Sequence, residues 1–353
     1  MITSNDISVL IVSRVNDPKR IELVYQRIRK YYPTTEIVIV YDGISHHMDV
    51  NDDELKQIVT QDRVYVSGGY NLALKAAKNK YFVFLHDDTF IHKDFINNLI
   101  PHLKENIICN FTTVEPPLYG NSDILERPIQ NFGFELNDLD LDAFDEYCNT
   151  RNKELSNIVI KNDAGGFFMA GYISTLLDIG GFDEKFKPFF FEDSDLMFRL
   201  YLNGTSFVQV LNSIVYHLVS RTARHSEDGD GAIKATEKIF IEKWKCPFYV
   251  LKEYSMINKM VYKSIRVKIE HKNVNSPALI NLLDMFSEKD ESLPISKLYI
   301  NGNKFDKNDL EYIYTLPYII SENNMESGKY ELNNMILEID KDSVFEPKIK
   351  ITQ

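Results

Sequence analysis

YFVFLHDD, residues 81–88, is an unbroken apolar run that ends on two adjacent carboxylates. Apolar side chains at consecutive positions mark a strand buried on both faces, as in a parallel sheet covered by helices. Upstream, Ile7–Val12 (ISVLIV) and Glu36–Tyr41 (EIVIVY) have the same character. Between them, Asp17–Tyr31 places Ile21, Val24, Tyr25 and Ile28 on one helical face. Arg63–Val66 reads as a short third strand, and a helix is predicted from about Tyr70 to Lys78. This βαβ alternation predicts an α/β fold with a Rossmann-like, mostly parallel sheet flanked by helices. Such sheets bind ligands outside the carboxyl ends of their strands. Three polar clusters fall at those ends: Ser13-Arg14, Asp42-Gly43 and Asp87-Asp88.

Downstream the pattern loosens. Cys109–Lys161 reads as strands and loops crossing the top of the sheet, with Glu115-Pro116-Pro117 and an acidic stretch over Asn137–Glu146. From about Phe240 the character changes again. Tyr249–Lys272 is rich in Lys and Arg, and Ser292–Ile320 breaks into short strand, turn and helix pieces. The expected organisation is one domain over residues 1–245 and a smaller C-terminal α/β or α+β region over 246–353, serving acceptor binding or assembly.

Composition narrows the function classes. Hydrophobic residues make up 44% and charged residues 26%, an ordinary globular balance, and 22 Phe with 20 Tyr suit a large core and a ring-lined cleft. The net charge of −12 argues against a broad nucleic-acid-binding surface. Cys109, Cys148 and Cys246 form no CxxC pair and no disulfide framework, which points to a reducing compartment. With no charged-then-apolar leader and no apolar run long enough to span a bilayer, the expected location is cytoplasmic.

Two adjacent carboxylates at a strand tip repel one another unless a cation offsets them, and hard divalent cations prefer oxygen ligands. Asp87-Asp88 alone also fits a loop capping the helix expected near Lys93. A second acidic group, Glu192-Asp193-Ser194-Asp195, follows Phe189-Phe190-Phe191 and opens an amphipathic helix. The helix dipole favours acids there, but apolar surroundings also raise a carboxylate's pKa and make it a stronger base. A third group, Val215-Tyr216-His217, ends a β-branched run, and Arg221 and Arg224 follow in a polar segment suited to phosphate oxygens.

The order of these clusters, with GGFDEKFKPFFFEDSDLMFRLYLNG over Gly180–Gly204, resembles the family 2 glycosyltransferases of the GT-A fold. The resemblance covers roughly Ser8–Ser226. It implies an inverting, metal-dependent transfer of a sugar from a nucleoside-diphosphate sugar, UDP-sugar favoured, to a hydroxyl acceptor. By the same resemblance, Ser13, Arg14, Asp42, Gly69, Asn71, Asp87, Arg221 and Arg224 would bind the donor. Asp88 and His217 would hold Mn²⁺ or Mg²⁺. Asp193 would be the general base, and Glu192 and Asp195 would meet the acceptor. His86 stands where the family's D-x-D triplet begins, and Tyr70 stands where an Arg often precedes the Asn of the nucleotide loop. The acceptor class stays open among a glycan, a lipid-linked sugar, a protein and a modified nucleobase. A sugar nucleotidyltransferase would carry a Gly-rich, Arg-containing loop after the first strand, where this chain has Ser-Arg-Val-Asn-Asp-Pro. A silent nucleotide-sugar-binding module would not need Asp88, Asp193 and His217 together.

Overall fold

A computed structural model of the chain describes residues 2–14, 18–44, 47–118, 123–155, 158–161, 166–202, 205–219 and 229–244, and the strand segments 262–265, 267–269, 316–319, 328–332, 335–339 and 349–352. The first half runs β1 (Ile7–Ser13), α1 (Pro18–Tyr31), β2 (Glu36–Tyr41), β3 (Leu55–Val59), α2 (Tyr65–Ala76), β4 (Tyr81–His86), β5 (Thr89–Ile91) and α3 (Phe95–Leu99). Then follow β6 (Ile107–Val114), α4 (Leu141–Glu154), β7 (Val159–Lys161), β8 (Met169–Tyr172), α5 (Ile173–Leu177), α6 (Glu192–Leu202), β9 (Ser206–His217) and α7 (Gly229–Trp244). The remaining strands are β10 (Tyr262–Ile265), β11 (Val267–Ile269), β12 (Leu316–Ile319), β13 (Gly328–Leu332), β14 (Met335–Ile339) and β15 (Ile349–Thr352).

One nine-stranded sheet, in the order β3-β2-β1-β4-β8-β6-β9-β5 with β7 also on β9, dominates. β3, β2, β1 and β4 pair parallel, as the βαβ alternation requires. β8 inserts antiparallel between β4 and β6, and β6 and β9 run parallel. The strands read as buried on both faces are so: every residue of β2 is buried, and so are Tyr81–Leu85 of β4. On α1, Ile21, Val24 and Ile28 are buried against the sheet, while Tyr25 is half-buried and donates its hydroxyl to Asp52 at 2.6 Å. Buried Arg27 donates to the Ile91 carbonyl at 2.5 Å and pairs with Asp145 at 2.6 Å, which ties α1 to β5 and α4.

Some local expectations differ from the structure. Arg63–Val66 is not a strand. The third strand is β3, and Val64 and Tyr65 open α2 because Asp42 Oδ1 accepts from both their backbone N–H groups, at 2.6 and 3.0 Å. That capping by a distant carboxylate outweighs the β preference of Val64 and Val66. The acidic stretch over Asn137–Glu146 is half helix. Asp140 caps α4 by accepting from Ala143 N–H at 2.9 Å, and Asp142 sits in the first turn, where the dipole favours it. The β-branched run that ends at His217 is β9, whose register against β6 shifts between Phe111 and Thr112.

The chain divides into two compact units, Met1–Leu196 with Ser206–Thr236, and Met197–Thr205 with Glu237–Gln353. The first holds the nine-stranded sheet. In the second, β10 pairs antiparallel with β12, and β11-β15-β14-β13 form a four-stranded sheet. Among the described residues, no helix is long and apolar enough to cross a membrane.

Candidate functional site

The carboxyl ends of β1, β4, β6 and β9 meet at one edge. β5 pairs antiparallel with β9, with Thr89 opposite His217, so the loop after β4 lies beside the end of β9. Leu218 N–H adds a bond to the Asp88 carbonyl at 3.1 Å. This register brings together His86, Asp88 and His217, whose ligand-capable atoms all lie within 4.8 Å of one another. Asp88 is buried, its Oδ1 has no hydrogen-bond partner and it lies 3.5 Å from His217 Nε2. A buried carboxylate oxygen left without a donor is costly unless a cation serves it. Two imidazoles and a carboxylate are a suitable donor set for a divalent metal, so the residues present fit one. Asp88 and His217 were expected as ligands. His86 was not, although it directly precedes the aspartates.

Burial alone would raise the Asp88 carboxyl, but His217, His86 and Arg20 outweigh it and hold the pKa below the usual range. Burial pushes the His86 imidazole down to about 4. Phe167 and Phe168 stand against His86 at ring separations of 4.3 and 4.9 Å, and Phe168 also packs on His217 at 4.8 Å.

Asp87 is held differently from Asp88. Its Oδ2 accepts from Ser13 Oγ at 2.7 Å and its Oδ1 from Arg20 at 2.8 Å. Burial raises its pKa, opposed by Arg20. Two expected donor-site residues, Ser13 and Asp87, therefore bind one another, and Arg20 of α1 joins them. Arg20 was missed because it lies within the helical run and not at a strand end.

The other expected donor residues are placed as follows. Arg14 is exposed, near Arg63 and Asp42. Asp42 caps α2, with Arg63 3.5 Å from its Oδ2. Gly69 packs α2 onto β1, where a Cβ would lie 2.7 Å from Val12. Asn71 accepts from Phe182 N–H at 2.8 Å and donates to the Phe182 carbonyl and to Glu184, each at 2.9 Å, stapling α2 to the Gly-Gly-Phe-Asp-Glu turn. Tyr70 is fully buried, with its hydroxyl on the Leu85 carbonyl at 2.7 Å, a core role for the position where an Arg often stands in the resembling family. Arg221 and Arg224 lie outside the described residues.

The second acidic group opens α6. Phe190 and Phe191, directly before it, have φ of +77° and +64°. Two successive bulky residues in the left-handed region are strained, and such strain clusters at functional sites. Glu192 is buried, its Oε2 has no hydrogen-bond partner, and burial with the charge of Asp193 pushes its pKa up to about 8. Burial also raises Asp193, which is half-buried and accepts from Ser194 N–H at 2.7 Å. Asp195 is fully buried. Burial raises the Tyr70 hydroxyl pKa, with the charges of Asp87, Asp88 and Glu192 adding to it.

The chain is an α/β protein whose sheet carries a His-Asp-His cluster at the carboxyl edge, where sheets of this kind bind ligands. Residues 8–145 match the family model described as Glycosyl transferase family 2. No curated protein matches the chain. Among solved structures, the chain is similar to GalNAc-T7, crystallised with UDP, GalNAc and Mn²⁺, at 14% identity and a TM-score of 0.49, covering 70% of this chain and 49% of that one. It thus spans about half the length of the GalNAc-T7 chain. S. aureus TarS 1-349 is similar at 13% identity and a TM-score of 0.44, over 72% of this chain and 73% of that one. The mannosyltransferase PcManGT from Pyrobaculum calidifontis, in complex with GDP-Man and Mn²⁺, is similar at 14% identity and a TM-score of 0.40, over 62% and 59%.

Proposed function

We propose that this chain is an inverting, metal-dependent glycosyltransferase that moves a sugar from a nucleoside-diphosphate sugar, UDP-sugar favoured, to a hydroxyl acceptor. The observation that carries the reading is the convergence of His86, Asp88 and His217 at the strand ends, with His86 and Asp88 inside the region that matches the Glycosyl transferase family 2 model. These three residues would hold Mn²⁺ or Mg²⁺. When bound, the ion would supply charge neutralisation for the departing nucleoside diphosphate. Ser13, Arg14, Asp42, Gly69, Asn71 and Asp87 line or support the donor side, with Arg221 and Arg224 added from the segment after β9. Asp193 takes the acceptor hydroxyl proton as that oxygen attacks the anomeric carbon from the face opposite the leaving group, and one displacement inverts the centre. Glu192 and Asp195 serve the acceptor side.

A second reading makes Glu192 the base. It is favoured by the unpartnered Oε2 and the pKa near 8, which suit a group that must take a proton at neutral or mildly alkaline pH. Residues 246–353 serve acceptor binding or assembly. A chain ending near residue 250 should keep donor binding, and a folded truncation without it would give the tail a part in the donor site.

A thermal-shift screen of nucleotide sugars with and without Mn²⁺ tests the main reading, because a bound donor raises the melting temperature. One sugar nucleotide should stabilise the protein in a metal-dependent way and be hydrolysed slowly without acceptor. Stabilisation without hydrolysis would favour a silent binding module. No stabilisation by any nucleotide sugar would remove the transferase reading.

A further inference from the structure

We propose that Glu115 is the positioning residue that makes His217 a metal ligand, an assignment that rests on the metal reading above. The parallel register of β6 on β9 pairs Val114 with Tyr216, so Glu115 and His217 emerge side by side where the two strands end. Glu115 Oε1 lies 3.2 Å from His217 Nδ1, and both side chains are buried, each 8% exposed. The Glu115 backbone is clamped: its N–H donates to the Pro128 carbonyl at 3.0 Å and its carbonyl accepts from Gln130 N–H at 2.9 Å. Arg127 approaches Oε2 at 3.8 Å.

A carboxylate accepts hydrogen bonds and cannot donate them, so its partner Nδ1 carries the ring proton. In the neutral form that binds a metal the lone pair is then on Nε2, which lies 3.5 Å from Asp88 Oδ1. In that form two Lewis-basic atoms face each other there, and Asp88 Oδ1 has no hydrogen bond of its own. A divalent cation satisfies both. A carboxylate behind a metal-bound histidine fixes tautomer and ring orientation and raises ligand basicity, and its loss typically weakens metal affinity about 10–100-fold. The bond is not needed to join the two strands, because their ladder already runs from Ile107 to Val114.

The test is Mn²⁺ titration of the full chain by calorimetry, without nucleotide, for wild type, Glu115→Gln, Glu115→Ala and His217→Ala. Melting in EDTA reports the fold, and long-range ¹H–¹⁵N imidazole spectra report the tautomer. The His217 signal, identified by its loss in His217→Ala, should show the proton on Nδ1 in the wild type and a mixture in Glu115→Ala. Mn²⁺ affinity should fall about 10-fold in Glu115→Gln and up to about 100-fold in Glu115→Ala, with EDTA melting of the Gln variant unchanged. If Glu115→Ala does not fold, Glu115→Gln decides. Unchanged Mn²⁺ affinity in the folded variants would overturn the role of Glu115 and leave the metal reading intact. A wild type that binds no Mn²⁺ would bring down both.

Discussion

Asp193→Asn separates the two candidate bases. Asp193 Oδ1 accepts from Ser194 N–H at 2.7 Å and lies 3.3 Å from its hydroxyl. The amide oxygen of Asn can accept the same bonds, so the start of α6 should keep its form. Only the proton acceptor and the negative charge are lost. If Asp193 is the base, turnover should fall about 10²–10⁴-fold, the usual scale for general-base catalysis. At 1.36 kcal/mol per tenfold, that raises the barrier by about 2.7–5.4 kcal/mol. The charge has a second effect. After burial, Asp193 is the main cause of the pKa near 8 at Glu192, so removing it should move Glu192 down. If Glu192 is the base, activity of Asp193→Asn should therefore rise with pH along a limb displaced to lower pH than in the wild type. The assay is release of nucleoside diphosphate from the donor that gives the largest thermal shift, followed from about pH 6 to about pH 10, with donor affinity measured in parallel. Donor affinity should be near wild type. Wild-type turnover in Asp193→Asn together with a dead Glu192→Gln would move the base to Glu192. Full activity in both variants would remove the single-displacement mechanism.

Asp88→Asn should abolish the Mn²⁺ dependence of nucleotide binding without unfolding the protein; equal EDTA sensitivity in variant and wild type would take Asp88 out of the ligand set. Glu192 should contribute pH-dependent stability with a defined sign. Its folded pKa of about 8 lies above the ordinary 4.5, so the folded state holds its proton more tightly and stability is lost as pH rises through that interval. Urea denaturation should accordingly show Glu192→Gln gaining on the wild type between about pH 5 and about pH 8, and a constant difference across that range would contradict the raised pKa. Asn71→Ala should cost about 1–3 kcal/mol, because it strands the buried backbone N–H and carbonyl of Phe182. Unchanged stability with lost donor affinity would instead make Asn71 a direct donor contact.

Strands β1, β2 and β4 were legible from their apolar runs, because a strand buried on both faces writes its environment into consecutive side chains. The acids at their ends were legible for the same reason, since a polar residue breaking such a run marks where the chain leaves the sheet. The family resemblance rested on the Gly180–Gly204 block, whose turn and helix start are local as well. Other features depended on distant partners. Val64-Tyr65-Val66 opens a helix and not a strand because Asp42 supplies the cap. Asn71 is bound into the Phe182 turn, and Asp87 is shared by Ser13 and Arg20. His86 and Glu115 joined the candidate site only through the antiparallel pairing of Thr89 with His217 and the parallel register of β6 on β9. Side-chain periodicity records whether a segment is buried and how it is wound, but a strand's register is a relation between two segments, and neither carries it alone. The sheet edge, with Asp88 and His217, was therefore readable along the chain, while the places of His86 and Glu115 beside them were decided by how the strands came to lie side by side.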